Sequence, residues 1–523
     1  MPEVSADQPM NPSGSGLTRP ERPPRTALAA VAERLGARVI GDPAEVTLTG
    51  LTLSSQRVRA GDLYVALPGA RVHGASYAAD AVVAGAVAVL TDEAGLAGLG
   101  DVAVPVLVVA APRAVLGDLA AHLYGNPADD LTLMAVTGTQ GKTTTTRLLE
   151  AGLEGAGVPA AVIGTVGTRI NGVDVATALT TPEAPDLHAL FAVMRERQVR
   201  GCAMEVSSHA LVMGRVDGVV FDAAAFINLG RDHLDFHADL EDYFAAKASL
   251  FTPARARTGL VNIDDEFGRR LLATATIPMR TFSPSGGPAD WRAVDVDLRP
   301  EGSSFTVVTP AGDRIPAGVP LTGSFNVANA LCAVALAAEA GFDPVAVAAG
   351  IAGSAGVPGR LERIDEGQPF LVVVDYAHKP DALAAALAAL APLTKGRLIL
   401  VLGAGGDRDT GKRPLMGEIG ARDAQVLVVT DDNPRGEEPA LIRAAVRAGA
   451  EAVAGSERAE VIEIADRGEA IRRAIGLARP GDTVLVAGKG HETGQEFGAG
   501  ADKVVHPFDD RDEARAALGG LRR

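Results

Sequence analysis

Thr137-Gly138-Thr139-Gln140-Gly141-Lys142-Thr143-Thr144 packs two glycines, a lysine and a run of hydroxyls into one short stretch. An apolar run, Leu131 to Val136, precedes it, and a segment that reads as a helix follows. A strand feeding a glycine turn and then a helix N-terminus makes an anion site, because backbone N–H groups converge there and the helix dipole presents its positive end. Lys142 adds a full charge, and Thr143 is placed to put its hydroxyl on a phosphate-bound magnesium. The loop is shorter than the common form, since Val136 stands where a leading glycine would be. A shortened Gly-x-x-Gly-Lys-Thr loop narrows the field to a small group of ATP users. A glycine turn with a surface lysine is the ordinary alternative; strand, glycines, lysine and hydroxyl in register argue against it. The expected ligand is ATP.

Four further polar clusters follow apolar runs near the end of the chain. Leu371–Val374 runs into Asp375-Tyr376-Ala377-His378-Lys379-Pro380, and Leu398–Leu402 into Gly403-Ala404-Gly405-Gly406-Asp407-Arg408. Val426–Thr430 runs into Asp431-Asp432-Asn433-Pro434-Arg435, and Thr483–Val486 into Gly488-Lys489-Gly490-His491-Glu492. In an open parallel sheet, ligands sit outside the carboxyl ends of the strands. Four charged loops on one such edge form a site.

The elements that must position these residues follow from pattern. Between Thr26 and Asn126, strands at Leu51–Leu53, Leu63–Leu67, Val87–Leu90 and Val106–Val109 alternate with helices at Ala78–Ala84 and Arg113–Tyr124. Pro68-Gly69, Gly74 and Gly125-Asn126-Pro127 punctuate them. This unit lacks obvious acid–base pairs and reads as a binding domain. A second unit runs from the phosphate loop through strands at Ala161–Gly164, Gly201–Val206 and Ala223–Asn228, then a long helical stretch. Alternation of strand and helix implies mostly parallel sheets. Gly353 to Gly359 suits a linker. The expected architecture is α/β with three domains: a smaller N-terminal one (26–128), a central P-loop-type one (129–355) and a Rossmann-like C-terminal one (356–523). Residues 1–25, rich in Pro, Ser and Arg without an apolar core, read as a disordered tail and not an export signal.

Bulk properties exclude several classes. A formal charge of −16 over 523 residues opposes nonspecific nucleic-acid or anionic-membrane binding, since the phosphate field would be repulsive. Cys202 and Cys332, the two cysteines, rule out a disulfide framework or cysteine zinc site and read as buried core thiols of a reducing compartment. No apolar run reaches the length of a membrane span. The chain is expected in the cytoplasm.

Taken together, these residues resemble the Mur ligase family, of the MurE type. The resemblance covers nearly everything after the tail: the shortened phosphate loop, Glu205-Val206-Ser207-Ser208-His209, Asn228-Leu229-Gly230-Arg231-Asp232-His233-Leu234-Asp235, Ala246-Lys247, Gly323-Ser324-Phe325-Asn326-Val327-Ala328-Asn329, Asp375 to Asp381, and Gly406-Asp407-Arg408-Asp409. It implies an ATP-dependent amide ligase that activates a carboxylate as an acyl phosphate. It also implies small-molecule substrates, a UDP-sugar peptide and an amino acid, with ATP and Mg2+, and a chain that works as a monomer. A carboxylate attacking a triphosphate brings anion to anion, so cations must neutralise the approach.

The resemblance assigns roles position by position. Gly138, Thr139, Gln140, Gly141, Lys142, Thr143 and Thr144 hold phosphates; Thr143, Glu205, His233 and Lys247 serve metal, with Lys247 carrying a carbamate (N6-carboxylysine). Taken alone, Lys247 would read as a solvated helix lysine. Lys142, Lys247, Glu205 and His233 form the catalytic set, while His209 and His237 read as structural. Asn326, Asn329, Arg360, Asp375 and His378 take the adenine and ribose; the two asparagines share a helix face, and a helix cap is their alternative. Leu53, Ser55, Ala70, Arg71, Val72, Thr180, Thr181, Ser207, Met213 and Arg215 map onto the UDP-substrate site. Met213 stands where the family often has Gln, and a thioether cannot replace both hydrogen bonds of an amide.

Arg408, Asp432, Asn433, Pro434, Arg435, Gly488 and Glu492 map onto a meso-diaminopimelate pocket, with two arginine forks for a carboxylate and Glu492 for an ammonium. Proline fixes the turn that aims Arg435. The implied reaction joins meso-diaminopimelate to UDP-N-acetylmuramoyl-L-alanyl-D-glutamate in peptidoglycan synthesis. A lysine-adding sister ligase, a folylpolyglutamate synthetase-like enzyme, a P-loop ATPase motor and a plain UDP-sugar binding protein are the alternatives.

Overall fold

The computed structural model describes residues 15–69, 72–456 and 458–521. It divides into two compact units: Met1–Arg292 with Thr309–Gly312 and Leu331–Gly350, and Ala293–Val308 with Asp313–Ala330 and Ile351–Arg523. Both are α/β, as the alternation of apolar runs and alanine-rich helices predicts.

The first unit carries two sheets. In the smaller, β1 (Arg38–Ile40), β2 (Gly50–Thr52), β3 (Asp62–Val65), β4 (Ala88–Thr91) and β5 (Val106–Val108) lie in the order β1-β5-β4-β3-β2. All pairs are parallel except β1 with β5. Helix α1 (Pro112–Leu123) follows, its apolar side built from Leu116, Leu119, Ala120 and Leu123.

The larger sheet begins at β6 (Thr132–Thr137), which leads into α2 (Lys142–Gly155). It continues through β7 (Ala160–Gly164), β8 (Gly167–Ile170), β9 (Val173–Val175), α3 (Ala184–Glu196), β10 (Gly201–Glu205), the one-turn α4 (Ser208–Val212), β11 (Phe221–Phe226), α5 (Leu240–Ala248), β12 (Ala256–Asn262) and β13 (Met279–Ser283). The order is β9-β8-β7-β10-β6-β11-β12-β13, so β6 sits centrally between β10 and β11. The pairs from β7 to β13 are parallel. Buried on both faces, these strands are runs of Ala, Val, Ile and Met.

One expectation fails here. The stretch after Asn228, read as long and helical, contains β12, β13, a strand at Trp291–Arg299 and the antiparallel hairpin Gly302–Val308 with Arg314–Val319. Its helices are α5, Glu266–Thr274 between β12 and β13, and, beyond the hairpin, Ser324–Glu339 and Pro344–Ala352. The hairpin strands alternate buried and exposed residues, a period-two signal that interleaved glycines and Pro316 obscure.

The second unit is built on a six-stranded sheet. Its strands are β14 (Glu362–Arg363), β15 (Leu371–Asp375), β16 (Leu398–Leu402), β17 (Val426–Val429), β18 (Glu460–Glu463) and β19 (Thr483–Ala487). They lie in the order β14-β15-β19-β16-β17-β18, parallel except for the β14 edge. Apolar clusters cover both faces. Among the described residues no helix is long and apolar enough to cross a membrane.

The tail expectation is corrected in its second half. Residues 1–14 lie outside the described residues, but Arg19 is buried. Its guanidinium donates to both carboxylate oxygens of Asp62 (3.3 Å), to the Leu51 carbonyl (2.8 Å) and to the Tyr124 hydroxyl. Composition reads this segment as solvent-exposed because the partner, a buried carboxylate on β3, is not visible from local sequence. The amides of Glu21 and Arg22 then donate to Glu196 on α3 (2.9 and 2.8 Å), pinning the strap across both sheets of the unit. Removing one partner of a buried pair strands the other charge. Arg19→Ala is therefore expected to cost about 3 kcal/mol, read as a lowered urea midpoint, while Arg22→Ala leaves the midpoint unchanged. Equal midpoints for both variants would contradict the anchoring role.

Candidate active site

The turn after β6 owes its shape to glycine. Gly141, at the N-cap of α2, has φ of +85°, a conformation that a side chain would strain. The first α-helical bond from this end runs from Thr145 N to Gly141 O (2.9 Å), so the amides of Thr143 and Thr144 lie in the first turn, where no helical carbonyl precedes them. The expectation of converging loop amides holds only for this helix end. Asn228 Oδ1 accepts from Thr139 N (3.1 Å) and Gln140 N (2.9 Å), and its Nδ2 donates back to Gln140 O (3.2 Å). Asn228 follows β11, the neighbour of β6, and braces the loop from the side.

Lys142 reaches back over the loop, its Nζ 2.8 Å from Gly138 O and 3.1 Å from Thr139 O. Lys247, on α5, is not a solvated helix lysine: it is 1% exposed. Its Nζ donates to the same Gly138 carbonyl at 2.9 Å and lies over the Tyr243 ring. The Tyr243 hydroxyl in turn meets Thr139 Oγ1 (3.2 Å). Two ammonium groups thus share one carbonyl oxygen.

Glu205 ends β10 beside β6, in register with Val136. It is 1% exposed and accepts from Thr165 through both oxygens, N at 2.8 Å and Oγ1 at 3.1 Å. His233 lies on the loop after β11, with φ of +53° and Nε2 3.3 Å from Asp232. Its ring packs edge-on to His209 and to Tyr243. His209 stacks on Phe236, and burial lowers its pKa. His237 is held by Ser208 (2.9 Å) and Asp242 (3.0 Å). Among the described residues no three His, Cys, Asp or Glu side chains converge on one point.

The residues mapped to the UDP-substrate join the same edge in part. Thr180 Oγ1 meets Thr165 Oγ1 (3.0 Å), and Thr181 Oγ1 donates to Glu205 O (2.8 Å) and accepts from Ser207 N (3.2 Å). Ser207 caps α4. Arg215 donates from Nε to Glu183 Oε1 (2.9 Å), and its Nη2 lies 3.4 Å from the Met213 sulfur. The thioether thus rests against the guanidinium where the family's amide would stand. Sequence reasoning missed Glu183, two residues beyond Thr181, and Arg113 on α1, which donates to Glu183 Oε2 (3.1 Å) and Met213 O (3.3 Å). Leu53 and Ser55 are half-buried just past β2, and Val72 is exposed. Ala70 and Arg71 lie outside the described residues.

In the second unit, Asn326 and Asn329 are buried on one helix face, Asn329 Nδ2 donating to Asn326 Oδ1 (3.3 Å) and Asn326 Nδ2 to Thr322 O (2.8 Å). Asp375, at the end of β15, accepts from the amides of Leu361 (2.7 Å) and Ala377 (2.8 Å). Burial raises its pKa, and Arg360 works against that rise. The Arg360 guanidinium lies over the Tyr376 ring, and its buried Nε has no hydrogen-bond partner among the described residues. Burial pushes His378 down to about 3, so the imidazole is neutral at physiological pH. Its Nδ1 is 2.9 Å from Tyr376 O.

The four polar loops of this sheet do share one edge, because β15, β19, β16 and β17 are adjacent and parallel. Asn433 Nδ2 donates to Glu492 Oε2 (2.9 Å). Arg435 donates to Glu496 (2.8 Å) and to Gly406 O (2.9 Å). Arg408 is exposed and donates to Asp407 O. Gly488 has φ of +122°, and an added Cβ would press on the Asp432 carboxylate. Lys412, which sequence reasoning did not select, donates to His378 O (2.9 Å), and burial lowers its pKa.

A glycine-lysine turn and helix start at the centre of a parallel sheet, with the half-buried Lys142 on that helix and a buried lysine and carboxylate on flanking elements, define a P-loop nucleotide-binding enzyme. Three family models match in sequence order: Mur ligase family, catalytic domain (47–124), Mur ligase middle domain (136–337), and Mur ligase, glutamate ligase domain (359–490). The chain belongs to the Mur ligase family. It is 54% identical over 504 residues to the UDP-N-acetylmuramoyl-L-alanyl-D-glutamate--2,6-diaminopimelate ligase of Streptomyces coelicolor, covering 96% of this chain and 98% of that one. It is 51% identical to the protein of the same name from Corynebacterium glutamicum, covering 94% and 95%. A solved structure of a UDP-N-acetylmuramoyl-L-alanyl-D-glutamate--2,6-diaminopimelate ligase superposes with a TM-score of 0.67 at 33% identity, covering 94% of this chain and 99% of that one.

Gly164 explains how Glu205 is seated. A Cβ there would collide with the Glu205 carboxylate. Gly164→Ala is expected to displace that carboxylate and lower nucleotide turnover by about a hundredfold, the scale of a small misplacement at a reacting centre, with the unfolding midpoint little changed. Turnover equal to wild type would remove Glu205 from the working site.

Proposed function

We propose that this chain is an ATP-dependent amide ligase that adds meso-diaminopimelate to UDP-N-acetylmuramoyl-L-alanyl-D-glutamate in peptidoglycan synthesis. The observation that carries the choice of amino acid is the Asp432–Arg435 turn facing Glu492 across one sheet edge. We divide the chain into the three domains set out from sequence, place the reaction in the cytoplasm, and take the working form to be a monomer.

In this reading the first turn of α2 and Lys142 hold the triphosphate, with Gly138 to Thr144 as its cradle. Thr143, Glu205 and His233 suit magnesium: Mg2+ takes one or two protein oxygens and fills its shell with phosphates and water, so a closed protein cage is not required. When bound, the ion neutralises phosphate charge. Lys247 carries a carbamate, which turns one of the two cations on Gly138 O into an anion and relieves their repulsion. Leu53, Ser55, Ala70, Arg71, Val72, Thr180, Thr181, Ser207, Met213 and Arg215 hold the UDP-substrate. Asn326, Asn329, Arg360, Asp375 and His378 hold adenine and ribose.

The substrate carboxylate attacks the γ-phosphorus and ADP leaves. The amine then attacks the acyl carbon, and inorganic phosphate leaves as the amide forms. Arg408, Asp432, Asn433, Pro434, Arg435, Gly488 and Glu492 take the distal head of the diamino acid. Because Arg435 rests on Glu496, a ligand without a carboxylate does not strand it fully, and discrimination is smaller than for an unpartnered fork.

The test is ADP release with the UDP-dipeptide and a panel of diamino acids. Meso-diaminopimelate is expected to exceed lysine in kcat/KM by on the order of a thousandfold, short of the full penalty for a stranded polar site. Arg435→Ala should raise the KM for meso-diaminopimelate and leave that for ATP unchanged. Equal use of lysine by wild type would overturn the specificity, and ADP release without any UDP-dipeptide would favour an ATPase.

A further inference from the structure

Lys489 is fully buried, yet nothing in the reaction as derived uses it. It follows β19 between Gly488 and Gly490, both at positive φ, which turn the chain so that the lysine points inward. Its Nζ donates to Asn433 Oδ1 (2.7 Å) and to Glu492 Oε2 (3.0 Å). Asn433 Oδ1 also accepts from Glu496 N (3.0 Å), and Asn433 Nδ2 donates to Glu492 Oε2. Lys489 therefore fixes the amide's orientation and, with it, the carboxylate. Both donors engage the same oxygen of Glu492, whose side chain keeps 31% exposure, and the Tyr376 side chain also hydrogen-bonds this carboxylate.

The charge balance matters as much as the geometry. Arg435 pairs with Glu496, which Lys503 also reaches at 3.2 Å, and Arg467 pairs with Asp510 in a fully buried pair. Glu492 is matched by Lys489. A ligand head with one ammonium and one carboxylate adds no net charge to this arrangement. A bare ammonium adds one positive charge beside a buried lysine, where like charges are poorly screened.

We propose that Lys489 is a specificity-determining residue: by matching Glu492 in advance, it lets the pocket take an amino-acid head bearing both charges and reject a lone ammonium. This rests on the ligase reading above and assigns its selectivity to a residue outside the ligand contacts proposed there.

The experiment compares kcat/KM for meso-diaminopimelate and L-lysine in wild type, Lys489→Met and Lys489→Arg, with the KM for ATP and the unfolding midpoint as controls. Lys489→Met should lower the ratio by about tenfold or more, with lysine use rising in absolute terms, which a merely structural defect would not produce. Lys489→Arg, keeping the charge, should retain the preference. If Lys489→Met does not fold, Glu492→Gln provides the second arm: it leaves Lys489 unmatched and should widen the ratio. A parallel fall for both amino acids in Lys489→Met, or an unchanged ratio in either variant, overturns the proposal while the ligase reading stands. Absence of ADP release by wild type with every diamino acid overturns the ligase reading itself.

Discussion

Two lysine ammonium groups donate to the single carbonyl of Gly138, Lys142 at 2.8 Å and Lys247 at 2.9 Å, and the first unit is arranged around that contact. In a chain whose formal charge is −16, two cations this close, one of them almost fully buried, are held only by what surrounds them. Asn228 braces the loop laterally, Tyr243 places its ring under Lys247, and β6 lies at the middle of the sheet so that loops from β10 and β11 flank it. Lys142 suits a site that must neutralise phosphate oxygens while a carboxylate approaches, and the carbamate proposed on Lys247 would relieve the crowding of two cations there.

The second unit solves a different problem with the same sheet logic. Ion pairs sit in and around its loops: Lys489 with Glu492, Arg435 with Glu496 on the next strand, and Arg467 with Asp510 at two helix starts. A zwitterionic group can enter such a surface without leaving a net charge. In the function proposed above, the edge holding the phosphates sets Lys142 and Lys247 near the buried Glu205 carboxylate, and the edge taking the amino acid pairs charges of both signs.

Much of this was legible from sequence because the signals were local. The strand, glycine turn and helix start around Lys142 appear in one short segment, and each C-terminal polar loop directly follows its apolar strand. The missing parts depend on partners distant in the chain. Lys489 reads as one more loop lysine until Asn433 is placed beside it, and Glu183 gains its meaning only between Arg113 and Arg215. Arg19 lies in a segment whose composition reads as tail, because Asp62 is invisible to a local window. The strands between Ala256 and Val319 were missed because short alternating patterns broken by Gly and Pro sit among alanine-rich segments. Lys247 marks the clearest limit: a helix lysine by sequence, it is buried against the phosphate loop by tertiary structure.

In the function proposed above, charge at the Gly138 turn drives the chemistry and not the holding of the UDP-substrate. Lys142→Ala measures it most directly, with ADP formation and UDP-dipeptide affinity determined on the same preparation. Loss of turnover by several hundredfold, the scale of about 3–4 kcal/mol for a removed transition-state donor, with UDP-dipeptide affinity within about threefold of wild type, is the predicted result. Near-normal ADP formation, or a parallel loss of UDP-dipeptide binding, would contradict it.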